Sequence, residues 1–465
     1  MFGKVLIANR GEVAVRIIQT CRRLGVRTVA VYSDADEGAP NVALADESYR
    51  LGEAPLQKSY LNVPALLDAI SASGADAVHP GYGLLSENAA FAAAVRARGA
   101  TFIGPDTAAL ETFGDKLAAR ALARSLGVAP PPGTESAVDP ADTEALEQAL
   151  RSVGLPLIVK AAGGGGGIGM LRVDRAEDLA RAVSTCAQRG QAAFNNPKVY
   201  LERYLERPRH IEVQVVAAGP GKVWAVGERE CSVQRRHQKL IEEAPSPAAF
   251  LSRPGARAAL HESAVRIIAA QSYVGLATVE FVVDDAGVPY FLEVNPRLQV
   301  EHGITELVFG LDLVELQLLA TAGDPIPAPP TEPGRGHAVE VRLYAEDPGR
   351  GFIPQPGTLE RFSFPAVSAE FRVDTGFRAG DVVTPHYDPL LAKVMAHGET
   401  RQQAIDRLLH GLSQADVQLT GKTGPKRSNL GLMKELLVNP TFTSGQYTTH
   451  LVEDVTRTGP AQSKP

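Results

Sequence analysis

The stretch IVKAAGGGGGIGMLRV, residues 158–173, sets two short apolar runs around five consecutive glycines and an Ile-Gly-Met. Short apolar runs bounded by glycine read as strands, so the segment is a hairpin with a deformable tip. Two readings of the tip are open. A glycine run can be a plain flexible linker. It can also let backbone N–H groups approach phosphate oxygens without side-chain interference. Lys160 closes the first strand, where its ammonium can reach a phosphate, and this favours a nucleotide lid.

Toward the N-terminus, residues 4–32 read as a βαβ unit. KVLIA is a strand, Val13, Ile17, Cys21 and Leu24 recur at helical spacing, Gly25 follows the helix, and TVAVY is the next strand. ADAVHP and TFIGP add buried strands, which predicts a doubly wound α/β domain over 1–129. A nicotinamide site is disfavoured, because NRGEVA carries one glycine where the pyrophosphate turn wants three. The prolines at 130–132 mark a boundary, and 130–204 forms a compact module around the glycine hairpin. Residues 205–453 are strand-rich and end in an α+β stretch. The polar segment 454–465 is expected to be a disordered tail.

Bulk properties exclude several classes. A net charge of -6 gives no reason to expect nucleic-acid binding. Three scattered cysteines (Cys21, Cys186, Cys231) make neither a disulfide framework nor a zinc cluster and favour a reducing, cytoplasmic setting. No apolar run approaches the roughly 18 residues of a membrane helix, and MFGKVLIANRG lacks the features of a signal peptide.

The strongest chemical signal is the pair TVEFVV and YFLEVNPRLQVEH. Side chains two apart share one face of a strand, so Glu293, Asn295 and Arg297 align if the strand runs through them. Glu280 joins them if the two strands pair. Two carboxylates and an amide suit Mg²⁺ bound with phosphates. The alternative, a solvated charged face, fits poorly with the apolar Phe291, Leu292 and Val294. A basic run, Arg235, Arg236, His237 and Lys239, adjoins Glu242 and Glu243 and either faces solvent or supplies cations for an anion. Cys231 beside it reads as a small buried hydrophobe rather than a thiol base.

Together KVLIANRGEVAVRI, HPGYGLLSEN, FIGP, GDK, KAAGGGGGIGM, YLERYLERPRHIEVQV, ERECSVQRRHQK, EVNPRLQVEHGITE and YDPLLAKV resemble biotin carboxylase, the ATP-grasp component of biotin-dependent carboxylases. The motifs run in family order over nearly the whole chain. The resemblance implies a Rossmann-like N-terminal domain, an ATP-grasp fold with a mobile lid, and a C-terminal biotin carboxylase domain. It implies ATP-dependent carboxylation of biotin by bicarbonate through carboxyphosphate, with Mg²⁺ or Mn²⁺. Lys116 and Lys160 match phosphate-binding lysines, and Gly165 and Gly166 the lid. Glu202, Arg203 and Leu205 match the adenine edge. His210, Gln234 and His237 match the ribose and phosphate surroundings, and Glu280, Glu293 and Asn295 the metal ligands. Arg297, Lys239, Gln299 and Val300 match the bicarbonate site, and Glu301 its base. Arg342 matches the stabiliser of the biotin enolate, with Tyr82 and Asp388 flanking biotin.

The chain departs from the pattern at Ile168, where many relatives carry a cation, and at Gly303, where acyl-CoA carboxylases usually carry proline. Both look like the urea carboxylase branch, whereas His237 keeps the acyl-CoA type. No Met-Lys-Met biotin attachment triplet is present. The resemblance therefore implies a biotin carboxyl carrier protein and a carboxyltransferase as separate partners, and a homodimer. It leaves the final acceptor open among acetyl-CoA, as in fatty acid biosynthesis, propionyl-CoA, pyruvate and urea. Competing expectations are an ATP-grasp ligase for another carboxylate and a catalytically silent nucleotide-binding regulator.

Overall fold

A computed structural model of the chain describes residues 1–163, 167–327 and 334–458. Gly165 and Gly166 lie outside the described residues.

Five parallel strands open the chain: β1 (Lys4–Ile7), β2 (Arg27–Ser33), β3 (Glu47–Gly52), β4 (Ala77–His79) and β5 (Thr101–Phe102), in the order β3-β2-β1-β4-β5. The order reverses at β1, as in a doubly wound sheet. The helix Gly11–Arg23 buries Val13, Ala14, Ile17, Ile18 and Cys21 on one side, which is the stripe that the 3.6-residue period gives.

The glycine hairpin is built as its sequence suggests. β6 (Leu157–Ala161) pairs antiparallel with β7 (Met170–Val173) and with β8 (Val199–Arg203). Helices Thr143–Val153 and Leu179–Phe194 cover this small sheet. The module has its own core, with Leu146, Val159, Val183, Cys186 and Leu201.

Most of the remaining strands make one eight-stranded antiparallel sheet, and short strands between Glu346 and Lys426 make a two-stranded and a four-stranded sheet beside it. The eight-stranded sheet contains β9 (Arg209–Ala218), β10 (Val223–Arg235), β11 (Gln238–Ala244), β12 (Val274–Val283), β13 (Pro289–Asn295) and β14 (His337–Tyr344), followed by Leu390–Gly398 and Phe371–Thr375. Their order in space is β13-β12-β9-β10-β11-β14, then the last two. The two largest cores against it lie one around Ile211, Val213 and Val279, the other around Val339, Val341 and Leu408. The helix Leu451–Thr458 takes in residues 454–458 of the expected tail, because Leu451, Val452 and Val455 are buried in that second core. Residues 459–465 lie outside the described residues.

Candidate active site

The site is a product of register. β9 alternates, so His210, Glu212 and Gln214 share a buried face. Glu212 stands opposite Glu280 of β12, and Glu280 opposite Glu293 of β13. On the other side Glu212 faces Arg229 of β10. Four strands thus lay Arg229, Glu212, Glu280 and Glu293 in one row. Lys239 of β11 reaches into it, with Nζ 2.6 Å from Glu212 Oε2, 3.0 Å from Glu280 Oε1 and 2.7 Å from Glu301 Oε1. Burial pulls the Lys239 ammonium down, but the surrounding carboxylates override it and hold it charged well above the usual lysine range.

Glu301 occupies the N-cap position of the helix His302–Phe309, yet its side chain does not cap. It is fully buried between Lys239 and Arg342, whose Nη2 lies 2.9 Å from Oε2. Burial raises its carboxyl, and Lys239, Arg342 and Arg229 outweigh burial, so Glu301 is a carboxylate well below the usual range. Arg342 is also held by Glu242 Oε1, at 2.6 Å from Nε. Cys231 is buried with Sγ 4.0 Å from Glu301 Oε1. Burial and Glu212 push its thiol well up, so it stays neutral beside Glu301.

The strand β13 ends at Asn295, before Pro296, so Arg297 is not on it. The guanidinium still folds back, giving Nη2 to Asn295 Oδ1 at 2.9 Å and Nη1 to Gln299 Oε1 at 2.5 Å. Its Nε donates to Glu87 Oε1 at 2.6 Å, and Gln299 donates to Glu280 Oε1 at 3.1 Å. Lys393 donates to the Val300 carbonyl at 2.8 Å. The expected bicarbonate residues therefore converge next to Glu301.

Glu280 and Glu293 face each other across paired strands and offer hard oxygens, which fits a divalent cation. Their charge is met by Lys239 and His210 on Glu280 and by Lys116 on Glu293. Burial raises Glu280, and Lys239 and His210 more than reverse this, leaving it well below the usual range. Asn295 donates from its NH₂ to Glu280 at 2.9 Å and accepts from Arg297 on its oxygen, so as a ligand it must turn over.

The two lysines expected at phosphate are each paired with an acid. Lys160 pairs with Glu202, which also takes the buried Arg120. Gln234 donates to His210 Nδ1 at 3.2 Å. The Arg203 N–H is taken by the Pro132 carbonyl at 2.7 Å, and Leu205 lies half-buried just beyond. The lid returns at Gly167, where φ is +76° and an added Cβ would lie 2.5 Å from the His237 ring. His237 itself sits in the tight β10–β11 turn with φ +66°. Tyr82 donates its hydroxyl to Glu12. Burial and Glu12 hold that phenol well up, with Asp388 and Arg342 also acting on it, so Tyr82, Asp388 and Arg342 are neighbours.

Glu212, Arg229, Glu87, Arg120 and Lys393 went unassigned at the sequence level. For Glu212 a signal existed, because it lies two residues from His210 on the same strand face. The others come from remote segments and had none.

Three family models match the chain: the biotin carboxylase N-terminal domain over residues 1–110, the carbamoyl-phosphate synthase L chain ATP-binding domain over 115–328, and the biotin carboxylase C-terminal domain over 340–454. The biotin carboxylase of Halalkalibacterium halodurans is 45% identical, covering 97% of each chain. The mitochondrial methylcrotonoyl-CoA carboxylase subunit alpha of Oryza sativa is 44% identical over 97% of this chain, which spans 60% of that subunit. Among solved structures, the biotin carboxylase domain dimer of Hydrogenobacter thermophilus 2-oxoglutarate carboxylase, in complex with MgADP, ADP and bicarbonate, superposes with a TM-score of 0.92. It is 36% identical and covers 98% of both chains. In sequence, in the order of its domains and in backbone geometry, this chain belongs to the biotin carboxylase family.

Proposed function

We propose the following division of labour for ATP-dependent carboxylation of biotin by bicarbonate, the reaction of this family. Lys116 and Lys160 leave their carboxylate partners to take phosphate oxygens, and the glycine lid closes above them. Glu280 and Glu293, with Asn295 after its amide turns, would hold Mg²⁺ or Mn²⁺, which neutralises charge on the phosphates. Glu202, Arg203 and Leu205 border the adenine, and His210, Gln234 and His237 the ribose and phosphates.

Arg297 offers bicarbonate a planar, two-pronged donor, with Lys239, Gln299 and the Val300 backbone beside it. Glu301 removes the bicarbonate proton. A bicarbonate oxygen bonds to the γ-phosphorus as the bond to ADP breaks, giving carboxyphosphate. The carboxyl–phosphate bond then breaks, the departing phosphate takes the proton of the biotin ureido nitrogen, and the carboxyl group bonds to that nitrogen. Arg342 stabilises the enolate-like ureido oxygen, and Tyr82 and Asp388 flank the ring.

One observation supports this reading above the rest. A single ionised, fully buried carboxylate, Glu301, touches both the cation expected at bicarbonate and the cation expected at biotin. The test is ATP cleavage that depends on bicarbonate and is stimulated by free biotin. Stimulation by another carboxylic acid, with none by biotin, would overturn the proposal. The other ligase and the silent regulator have no observation in their favour, since Lys160, Glu293 and Glu301 are all present.

We further propose that biotin arrives on a separate carrier protein and leaves for a separate carboxyltransferase, and that the chain works as a homodimer. For the acceptor we favour an acyl-CoA, with acetyl-CoA, as in fatty acid biosynthesis, among those it admits, on the acyl-CoA type of the Arg235–Lys239 turn. Three free buried cysteines suit the cytoplasm. No helix among the described residues is long and apolar enough to cross a membrane. Co-purification of the carrier and transferase, with light scattering of the free chain, checks these assignments.

A further inference from the structure

Behind Arg342 lies a pair of carboxyl groups that the reaction above does not use. Glu242 of β11 and Glu340 of β14 stand directly opposite one another in the ladder, and both are 0% exposed. Opposite residues of an antiparallel pair project from one face, with Cβ atoms about 4.5–5.5 Å apart. Glu242 spends Oε1 on Arg342, at 2.6 Å from Nε and 2.5 Å from Nη2. Its Oε2 and both oxygens of Glu340 meet no hydrogen-bond donor among the described residues.

The cations nearby are committed. Arg342 is shared between Glu242 and Glu301. Lys393, on the next strand, gives its ammonium to the Val300 carbonyl at 2.8 Å and to Glu12 at 3.1 Å, with Asp374 at 3.6 Å. On the helix that covers this face, burial and Lys393 push His302 down to about 3, so it is neutral. Glu306 of the same helix is occupied by Arg16 and Arg372. Two adjacent carboxylates in a dry pocket, with three bare oxygens and no spare cation, cannot both ionise at ordinary cost.

We propose that Glu340 is a carboxylic acid that keeps its proton and donates it to Oε2 of Glu242, and that by fixing Glu242 as an ionised acceptor it positions Arg342. A hydrogen bond from a neutral acid to a carboxylate is short and strong, and it satisfies the bare Oε2 of Glu242. Burial and the Glu242 charge hold Glu340 well above the usual carboxylate range. Burial also lifts Glu242, to about 7, and Arg342 on Glu242 decides which partner keeps the proton. The positioning half of the proposal rests on the role given to Arg342 at biotin. The proton itself does not.

The experiment uses the full chain and three readouts. The infrared carbonyl stretch of a buried carboxylic acid is expected in the wild type near neutral pH and lost in Glu340→Gln. Its absence from the wild type, or its survival in the variant, overturns the proposal. Only the wild type must hold this proton as pH rises above the usual carboxylate range. Stability of Glu340→Gln relative to wild type therefore grows with pH, by about tenfold in the folding constant per pH unit. A difference in melting that is flat with pH would also overturn it. Third, the Glu340→Gln amide still donates and keeps biotin carboxylation. Glu340→Leu bares Oε2 of Glu242 and lowers biotin-dependent turnover about tenfold, with biotin-independent ATP cleavage within about twofold. A positive infrared result with equal loss of both activities would refute the positioning of Arg342 while leaving the proton in place. If the Leu variant does not fold, the infrared and melting data on the Gln variant decide.

Discussion

Glu243 offers a quantitative test of how the sheet is tied to its C-terminal layer. Neighbouring glutamates on β11 take opposite faces: Glu242 serves Arg342, whereas Glu243 faces the helices. Glu243 is fully buried and accepts from His337 at 2.6 Å, from Arg401 at 2.6 and 2.9 Å, and from the Tyr447 hydroxyl. Burial alone would raise its carboxyl, but His337 and Arg401 bring it from the ordinary 4.5 down to about 2. A folded-state value below the unfolded one means stability that is fully present above about pH 4.5 and lost as pH falls toward 2. The difference corresponds to about 3 kcal/mol, in line with the roughly 3–5 kcal/mol cost of breaking a buried ion pair from one side.

Glu243→Gln should therefore lower the melting temperature by about 6–12 °C at neutral pH, at about 2–4 °C per kcal/mol for a unit of this size. The deficit should stay level from about pH 8 to 5 and shrink by about 1 kcal/mol by pH 4. Melting followed by circular dichroism across this range is the assay, with turnover measured well below the melt and expected near wild type. A deficit that is small at neutral pH, or that grows on acidification, would refute the assignment of Glu243 as an ionised clasp.

Glu301→Gln should abolish biotin-dependent ATP turnover while nucleotide affinity, measured by calorimetry, stays nearly intact; lost affinity would misplace the base. Arg342→Ala should slow carboxyl transfer to biotin more than bicarbonate-dependent ATP cleavage, and equal losses would argue against an enolate partner. Gly167→Ala puts a Cβ against His237 at positive φ, a strain of order 1–3 kcal/mol. Its KM for ATP should rise about tenfold, and an unchanged KM would mean that the lid does not seat there in catalysis. Ile168 is 52% exposed, so Ile168→Arg has room to add a phosphate-facing charge and should lower the KM for ATP.

The acid row was legible to the extent that it obeys local periodicity. Glu280 and Glu293 share a face because strands alternate, and pairing puts them opposite each other. Glu212 obeys the same rule but was hidden among apolar neighbours. Arg229, Glu242 and Lys393 could not be read, because their places depend on strand order. β9 pairs with both β10 and β12, a neighbour relation that no short window encodes. The strand assumed to run through Arg297 stops at Asn295, yet the side chains still meet, because the guanidinium's hydrogen bonds replace the missing ladder. The tail was misplaced for a related reason. Its polar composition concealed Val455, which the second core claims together with Leu451 and Val452 just ahead of it.

The eight-stranded sheet also sets descent against folding. The match to the ATP-binding family ends at residue 328 and the match to the C-terminal family begins at 340. The residues on either side of that seam are hydrogen-bonded neighbours, with Ile241 facing Val341 and Glu242 facing Glu340. What inheritance counts as two parts, the backbone builds as one. A chain cut at the seam would yield two halves that each expose a raw, half-hydrophobic strand edge, with Arg342 on one fragment and Glu301 on the other. Such halves should be insoluble apart and recover activity only when co-expressed, since neither contains a complete catalytic unit.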